Sequence, residues 1–265
     1  MKDPMGDRMK SYYEDRAKTS LVRRMPVIVR TDGKCFHHFC KRFKSPYDEF
    51  FNKAMNDVMK FLCENVQGCK FAERHSDEIS LLLTDYETLT TDAFFDYEVQ
   101  KICSVVASMA TAEFCRLLVI EQRKRGIESN GHSFDSVISL EEKWPGFDCR
   151  CFNLPKEEVV NYFLWRNKDC TRNSINTLAR SYYSAKQLRG KSTSEAQDML
   201  FTEQGVNWNN INPGQKAGFY CIKESVELLV ERGPNVGQTF MRNVWNAYSC
   251  PPTRSDFAAL IEPLI

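Results

Sequence analysis

The order of segments in this 265-residue chain predicts an α+β fold that opens with the element order β-α-β-β-α-β and continues into further helices and a hairpin arm. Three observations predict it. Two apolar runs, Val27-Ile28-Val29 and Ile79 to Leu83, are too short and too rich in β-branched residues or leucine to read as helices, and each abuts a carboxylate at its polar end. Two longer stretches repeat apolar residues at helical spacing: Phe51, Met55, Val58 and Leu62, then Val99, Ile102, Val106, Met109, Ala110, Phe114 and Leu117. Between the two stretches, His75 to Glu78 form a short polar break of the kind that closes a tight hairpin.

Taken in order, Met1 to Met5 read as a loose start and Asp7 to Thr19 as a charged helix, with Asp7 as its N-cap, packed on an edge of the core. Arg23-Arg24 precede Pro26, where the first strand starts. Ser45-Pro46 punctuates the chain before the first helix, and Gly68 closes the connection to a second strand opening at Lys70-Phe71-Ala72. The third strand is Ile79 to Leu83, the second helix runs from about Phe95 to Leu118, and the fourth strand spans Phe147 to Leu154. This order is the ferredoxin-like, or split βαβ, arrangement, in which the first and third strands are central and adjacent. The first strand ends at Asp32 and the antiparallel third begins at Asp77, so both acids fall at the same end of neighbouring strands.

Residues 1–154 therefore read as a catalytic region and 155–265 as a helical and arm region, within one integrated domain. Beyond Pro155 the pattern predicts two helices, Glu157 to Trp165 and Asn173 to Leu188, joined by a polar link. That link holds Arg166, Lys168, Arg172 and Asn173, donors suited to phosphate and sugar as well as to a solvated helix junction. Ser192-x-x-Glu195 is a capping box opening the helix Ala196 to Phe201, which Gly205 closes. Trp208 reads as a packing anchor, Phe219 to Leu229 as one half of a hairpin arm, and the tail after Cys250-Pro251-Pro252 as peripheral.

Composition narrows the class. With 42% hydrophobic and 27% charged residues and a net charge of +1, the chain can bury a full core but has no global basic field, so any RNA contact must use local patches. Eleven scattered cysteines, with no signal-type apolar segment, point to reduced thiols in a cytoplasmic setting. No apolar run reads as long enough to cross a bilayer. Cys149 and Cys151 lack a second ligand pair at zinc spacing and fit a strand burying small thiols. Gly190-Lys191-Ser192 is not a P-loop, since Ala185 stands where the earlier glycine is needed and no strand precedes it. The basic run Glu121 to Gly126 suits a solvated helix end.

The chemistry rests on the two acids. Asp32 is followed by Gly33, which permits a sharp turn and brings a carbonyl close to whatever the acid binds, and Lys34 and His37 stand just beyond. Mg²⁺ takes one or two carboxylates together with phosphate oxygens and water, so Asp32 and Asp77 suit a two-metal site holding a triphosphate. Each motif alone is most often an ordinary turn or hairpin tip; their convergence is what selects them.

On these residues the chain resembles the tRNA-His guanylyltransferase family, most of all its Thg-like branch of 3′-to-5′ RNA polymerases. The matching segments are Met5 to Lys10, Pro26 to Phe39, Ser76 to Ser80, Lys101-Ile102 with Ser104 to Phe114, Phe147-Asp148 with Arg150, Trp165-Arg166, Asn173-Ser174 and Gly205 to Asn209. The resemblance implies a palm like that of polymerases and nucleotide cyclases, and a homotetramer that grips the tRNA acceptor stem and 5′ end. ATP would activate the 5′-monophosphate of the RNA, and the 3′-hydroxyl of GTP or another triphosphate would then attack it. It further implies that Asp32, Gly33 and Asp77 bind two Mg²⁺ ions, that Glu78 joins Asp32 and Asp77 in catalysis, and that Asp32, Gly33, Lys34, Cys35, Phe36, His37, Ser76 and Asp77 line the nucleotide. Two departures stand out. The family's His-Ile-Asn reads Thr171-Arg172-Asn173 here, and its basic pair before Lys101 gives way to Asp96, Tyr97 and Glu98. These favour template-dependent repair of 5′-truncated tRNA over addition of a single guanosine to tRNA-His; a nucleotide cyclase and a non-catalytic tRNA-binding protein are the rivals from other classes.

Overall fold

Six antiparallel strands form one sheet in the computed structural model, which describes residues 3–128, 144–229, 236–251 and 253–265. The strands are β1 Val27–Gly33, β2 Cys69–His75, β3 Glu78–Leu83, β4 Phe147–Asn153, β5 Phe219–Leu229 and β6 Thr239–Ser249, in the order β4-β1-β3-β2-β5-β6. Val27 lies opposite Leu83 and Thr31 opposite Ile79, which sets the end of β1 beside the start of β3. β5 pairs with β2 and carries β6 alongside, so the arm continues the sheet. The helices are α1 Pro4–Met9, α2 Phe36–Phe39, α3 Glu49–Asn65, α4 Val99–Glu128, α5 Lys156–Tyr182, α6 Ala185–Leu188, α7 Thr193–Gln204, α8 Pro213–Ala217 and α9 Arg254–Ile261.

Alternation along the strands sorts side chains onto two faces. Val27, Val29, Ile79, Leu81 and Leu83 meet α3 and α4 through Met55, Val58, Leu62, Ile102, Val106, Ala110, Phe114 and Leu118. On the other face Ile28, Phe71 and Leu82 meet Val159 and Phe163 of α5 and Phe257 and Ile261 of α9. The far half of α5 enters a third cluster, where Ile175, Leu178 and Ala179 pack on Ala196 and Leu200 of α7. The capping box is present, with Ser192 accepting from the Glu195 N–H and Glu195 accepting from the Ser192 N–H, and Gly205 ends α7 in the left-handed region. Trp208 is the anchor its context suggests: it packs on the third cluster and its Nε1 donates to Ser174 Oγ at 3.1 Å.

Several expectations change. α1 starts at Pro4, inside the stretch read as a loose start, and its cap is Asp3 rather than Asp7; the segment buries no side chain and does not pack the core edge. α4 begins at Val99 because Phe95 and Asp96 have positive φ, and its backbone stays helical through the basic run to Glu128. The polar link does not exist. Residues 165–173 lie inside the single 27-residue helix α5, and α6 follows as a separate turn with its own capping box at Ser184. The tail is not peripheral, since Phe257 and Ile261 of α9 are fully buried. Finally, Val99–Lys124 is long and apolar enough, by length and composition, to cross a membrane, contrary to the sequence reading. Here one stripe of it, Ile102 to Leu118, is core.

The place of α9 sets a prediction. Phe257→Ala opens a cavity in the second cluster and is expected to lower stability by about 3–5 kcal/mol in a denaturant melt. Phe201→Ala, on the exposed side of α7, is expected to stay within about 0.5 kcal/mol of the parent.

Candidate active site

The two acids meet at one end of the sheet. Asp32 is the penultimate residue of β1, and Asp77 sits at the tip of the two-residue β2–β3 turn, after Ser76 in the left-handed conformation (φ 52°). Gly33 lets them converge. A Cβ at that position would lie 2.4 Å from the Phe36 ring and 2.7 Å from Asp77 Oδ2, so only glycine admits the carboxylate this close to the β1 backbone. Phe36 is itself fixed in an aromatic cluster with Phe39, Phe114 and Phe147, at ring separations of 5.4, 5.5 and 4.9 Å.

Both carboxyls are held above the usual range. Burial, then the charge of Asp32, push Asp77 up to about 6, against the opposing hydrogen bonds from its own N–H and Ser76. For Asp32 the cause is again burial first, then the charges of Glu78 and of Asp148, its register partner on β4. Two partly desolvated acids that repel each other form a site that gains from a cation, and an all-oxygen donor set with the adjacent Gly33 backbone suits a hard divalent ion.

A cleft of about 300 Å³ opens from these acids, lined by the Tyr47–Asn52 segment, the β2–β3 tip, α5 and α8. The polar residues of α5 that looked like a linker form the α5 wall: Arg166, Cys170, Asn173, Ser174 and Thr177 recur at helical spacing and face the cleft. Glu78 is not free beside the acids. Arg166 Nε and Nη2 donate to its two oxygens at 2.7 and 2.8 Å, and Arg30 Nε lies 4.0 Å away.

The structure divides the remaining sequence-selected residues. Asp32, Ser76 and Asp77 line the cleft, whereas Lys34 and Cys35 are exposed on the turn beyond Gly33, His37 is exposed on α2 and Phe36 is in the core. Of the four residues selected for RNA, Arg166 and Asn173 line the cleft, while Lys168 and Arg172 are exposed and Arg172 pairs with Asp169. At the second departure, Tyr97 is core, Glu98 pairs with Lys101, and Asp96 lies 3.6 Å from Arg23.

Arg74 was missed. Fully buried at the cleft wall, it donates to Asn56 Oδ1, the Ser76 carbonyl and Asn52 Oδ1 at 2.8, 2.8 and 3.3 Å, and its guanidinium lies over the Phe219 ring. Burial lowers it to about 10, so it keeps its charge at neutral pH, yet all three hydrogen-bond acceptors are neutral. A buried cation held this way favours an anionic ligand. Its only sequence signal is an arginine in a strand position one step from the hairpin tip.

The raised Asp77 carboxyl generates a pH prediction. The folded state binds that proton more tightly than the unfolded chain, so its stabilising contribution is full below the ordinary carboxyl range and is lost as pH rises through about 6. In metal-free protein, Asp77→Asn is therefore expected to raise stability by about 1–3 kcal/mol at about pH 8, with the gain shrinking toward about pH 4. Melts across that range, with and without Mg²⁺, check it.

Residues 6–155 match the family described as tRNAHis guanylyltransferase. Among solved structures, the chain is similar to a bacterial tRNA(His) guanylyltransferase (Thg1)-like protein in complex with ATP, with 36% identity, a TM-score of 0.80 and 98% of each chain covered. A bacterial Thg1-like protein in complex with GTP matches at 34% identity and a TM-score of 0.75, over 99% of each chain. The tRNA(His) guanylyltransferase of Debaryomyces hansenii is 30% identical over 211 residues, which cover 75% of this chain and 73% of the relative.

Proposed function

The chain belongs to the tRNAHis guanylyltransferase family of nucleotidyltransferases, and on that premise we propose that it extends the 5′ end of tRNA in the 3′-to-5′ direction, repairing 5′-truncated tRNA against a template. The observation that carries this reading is the pair of half-buried acids Asp32 and Asp77, with the charge of Asp32 raising Asp77, in one cleft with the cations Arg74 and Arg166. The strand order β4-β1-β3-β2 supports a ferredoxin-like palm beneath that cleft. Bacterial Thg1-like proteins in complex with ATP and with GTP support those nucleotides as activator and substrate.

In this reading Asp32, Asp77 and the Gly33 carbonyl hold two Mg²⁺ ions, which when bound offset phosphate charge and lower the pKa of the attacking hydroxyl. Arg74 and Arg166 orient the triphosphate, and Glu78 positions Arg166 through its paired hydrogen bonds. Asn173 and Gln215 offer amide groups for sugar or base. The 5′-monophosphate of the RNA displaces pyrophosphate from ATP, and the 3′-hydroxyl of the incoming triphosphate then displaces AMP from the activated end. A homotetramer that presents the cleft to the acceptor stem completes the proposal.

The second reading, addition of one guanosine to tRNA-His, loses support at Thr171 and Arg172. The Thr171 hydroxyl donates to the Asn167 carbonyl within α5, and Arg172 points to solvent against Asp169, so neither supplies the family's histidine to the cleft.

Labelled GTP, ATP and Mg²⁺ with a 5′-monophosphorylated tRNA lacking its first nucleotide test the choice. Addition opposite a templating C and not opposite A is expected, falling at least about 100-fold in Asp77→Ala. Equal addition opposite both bases selects the guanosine-adding reading, and none at all removes the nucleotidyltransfer proposal.

A further inference from the structure

Behind the β2–β3 tip lies a second polar cluster that the reaction does not use. Glu73 and His75 alternate on β2 and so share a face, and Cys250 follows directly on β6, where its N–H donates to the Gly218 carbonyl. All three side chains are buried, and one ligand atom from each lies within 4.8 Å of the others. Gly218 makes room for the imidazole, since a Cβ there would fall 2.2 Å from His75 Cδ2.

The polar atoms of this cluster satisfy one another only in part. Glu73 is 1% exposed and its Oε2 has no partner among the described residues. His75 Nε2 stands 2.9 Å from Glu73 Oε1, yet it too lacks an aligned hydrogen bond. The Cys250 thiol donates to that oxygen at 3.4 Å, which leaves Glu73 Oε2 and His75 Nε2 as the unpartnered atoms. Arg74, the adjacent cation, donates to Asn52 and Asn56 of α3. A buried carboxylate oxygen left without a partner is unfavourable, and a bound cation would satisfy it.

We propose that Glu73, His75 and Cys250 bind a transition-metal dication, zinc(II) by ligand chemistry, at a site separate from Asp32 and Asp77. Oxygen, imidazole and thiolate together suit zinc rather than magnesium. Tetrahedral bonds of about 2.0–2.3 Å place donors about 3.3–3.8 Å apart, close to the 2.9 Å from His75 Nε2 and the 3.4 Å from Cys250 Sγ to Glu73 Oε1. One carboxylate, one thiolate and a neutral imidazole sum with the dication to zero charge, which suits a buried site. His75 also lines the cleft, which gives an ion a way in. The bound metal ties the end of β6 to the strand that leads directly into Ser76 and Asp77, and acts as a structural pin behind the acids.

The test uses the full chain. Protein purified without chelator is expected to carry about one zinc per chain by elemental analysis. After chelator treatment, titration with Co²⁺ is expected to give the near-ultraviolet thiolate-to-cobalt charge-transfer band, which Asp32 and Asp77 cannot produce. The band is expected to persist in Asp77→Asn and Cys151→Ser and to vanish in Cys250→Ser. Should Cys250→Ser not fold, Glu73→Gln, read by competition with a chromophoric chelator, is expected to weaken Zn²⁺ binding at least about 10-fold. Absence of stoichiometric zinc together with absence of the band overturns the proposal, as does a band or an affinity that ignores the cluster variant.

Discussion

The close approach of the Asp77 carboxylate to the backbone at Gly33 is the contact on which the candidate site depends. It is held from three sides. The β1–β3 register brings the hairpin tip level with the end of β1, and a slip of one residue would turn every side chain of β3 to the opposite face. The Phe36 ring fills the other side of Gly33, and the aromatic cluster around Phe36 belongs to the core packed against α3 and α4. The position of one carboxylate is thus set by the packing of a whole face of the sheet.

That placement has an electrostatic cost, and the surroundings are arranged around it. Both acids are pushed toward their neutral forms, Asp77 by burial and the charge of Asp32, and Asp32 by burial and the charges of Glu78 and Asp148. Glu78, the third acid, is paired with Arg166 through two hydrogen bonds, yet its charge still raises both carboxyls. Arg74 is held through amide and carbonyl oxygens, which fix its direction without cancelling its charge. The cleft therefore sets a cation-seeking pair beside an anion-seeking residue, the polarity that a metal-bound polyphosphate presents in reverse.

The strands were legible because their apolar runs are short and bounded by Pro26, Gly68 and the Ser76-Asp77 turn, and because the acids mark strand ends. The helix periodicity of α3 also carried through to buried Met55, Val58 and Leu62. α5 was misread for a physical reason. Where it crosses the cleft its inward residues are polar, so the apolar stripe lapses over 165–173 although the backbone does not. A functional face on a helix imitates a linker. Arg74 and the Glu73, His75 and Cys250 cluster were illegible for a related reason: alternation tells which face a residue takes, but not that distant β6 and Gly218 close over it. The buried tail residues Phe257 and Ile261 follow two prolines, whose punctuation resembles the end of a fold.

At about 1.5 Å per residue the 27 residues of α5 make a rod roughly 40 Å long. One end is embedded under the sheet with α9, and the other is clasped by α7, so the cleft passes along the middle of a beam supported at both ends. A beam so supported resists bending where the substrate sits. The short pieces that complete the cleft are tied back to this beam, Tyr47 through its hydroxyl to the Ser174 carbonyl and the five-residue α8 through Asn167, which donates to the Ala217 carbonyl, so α5 serves as the datum from which the pocket's other walls are hung.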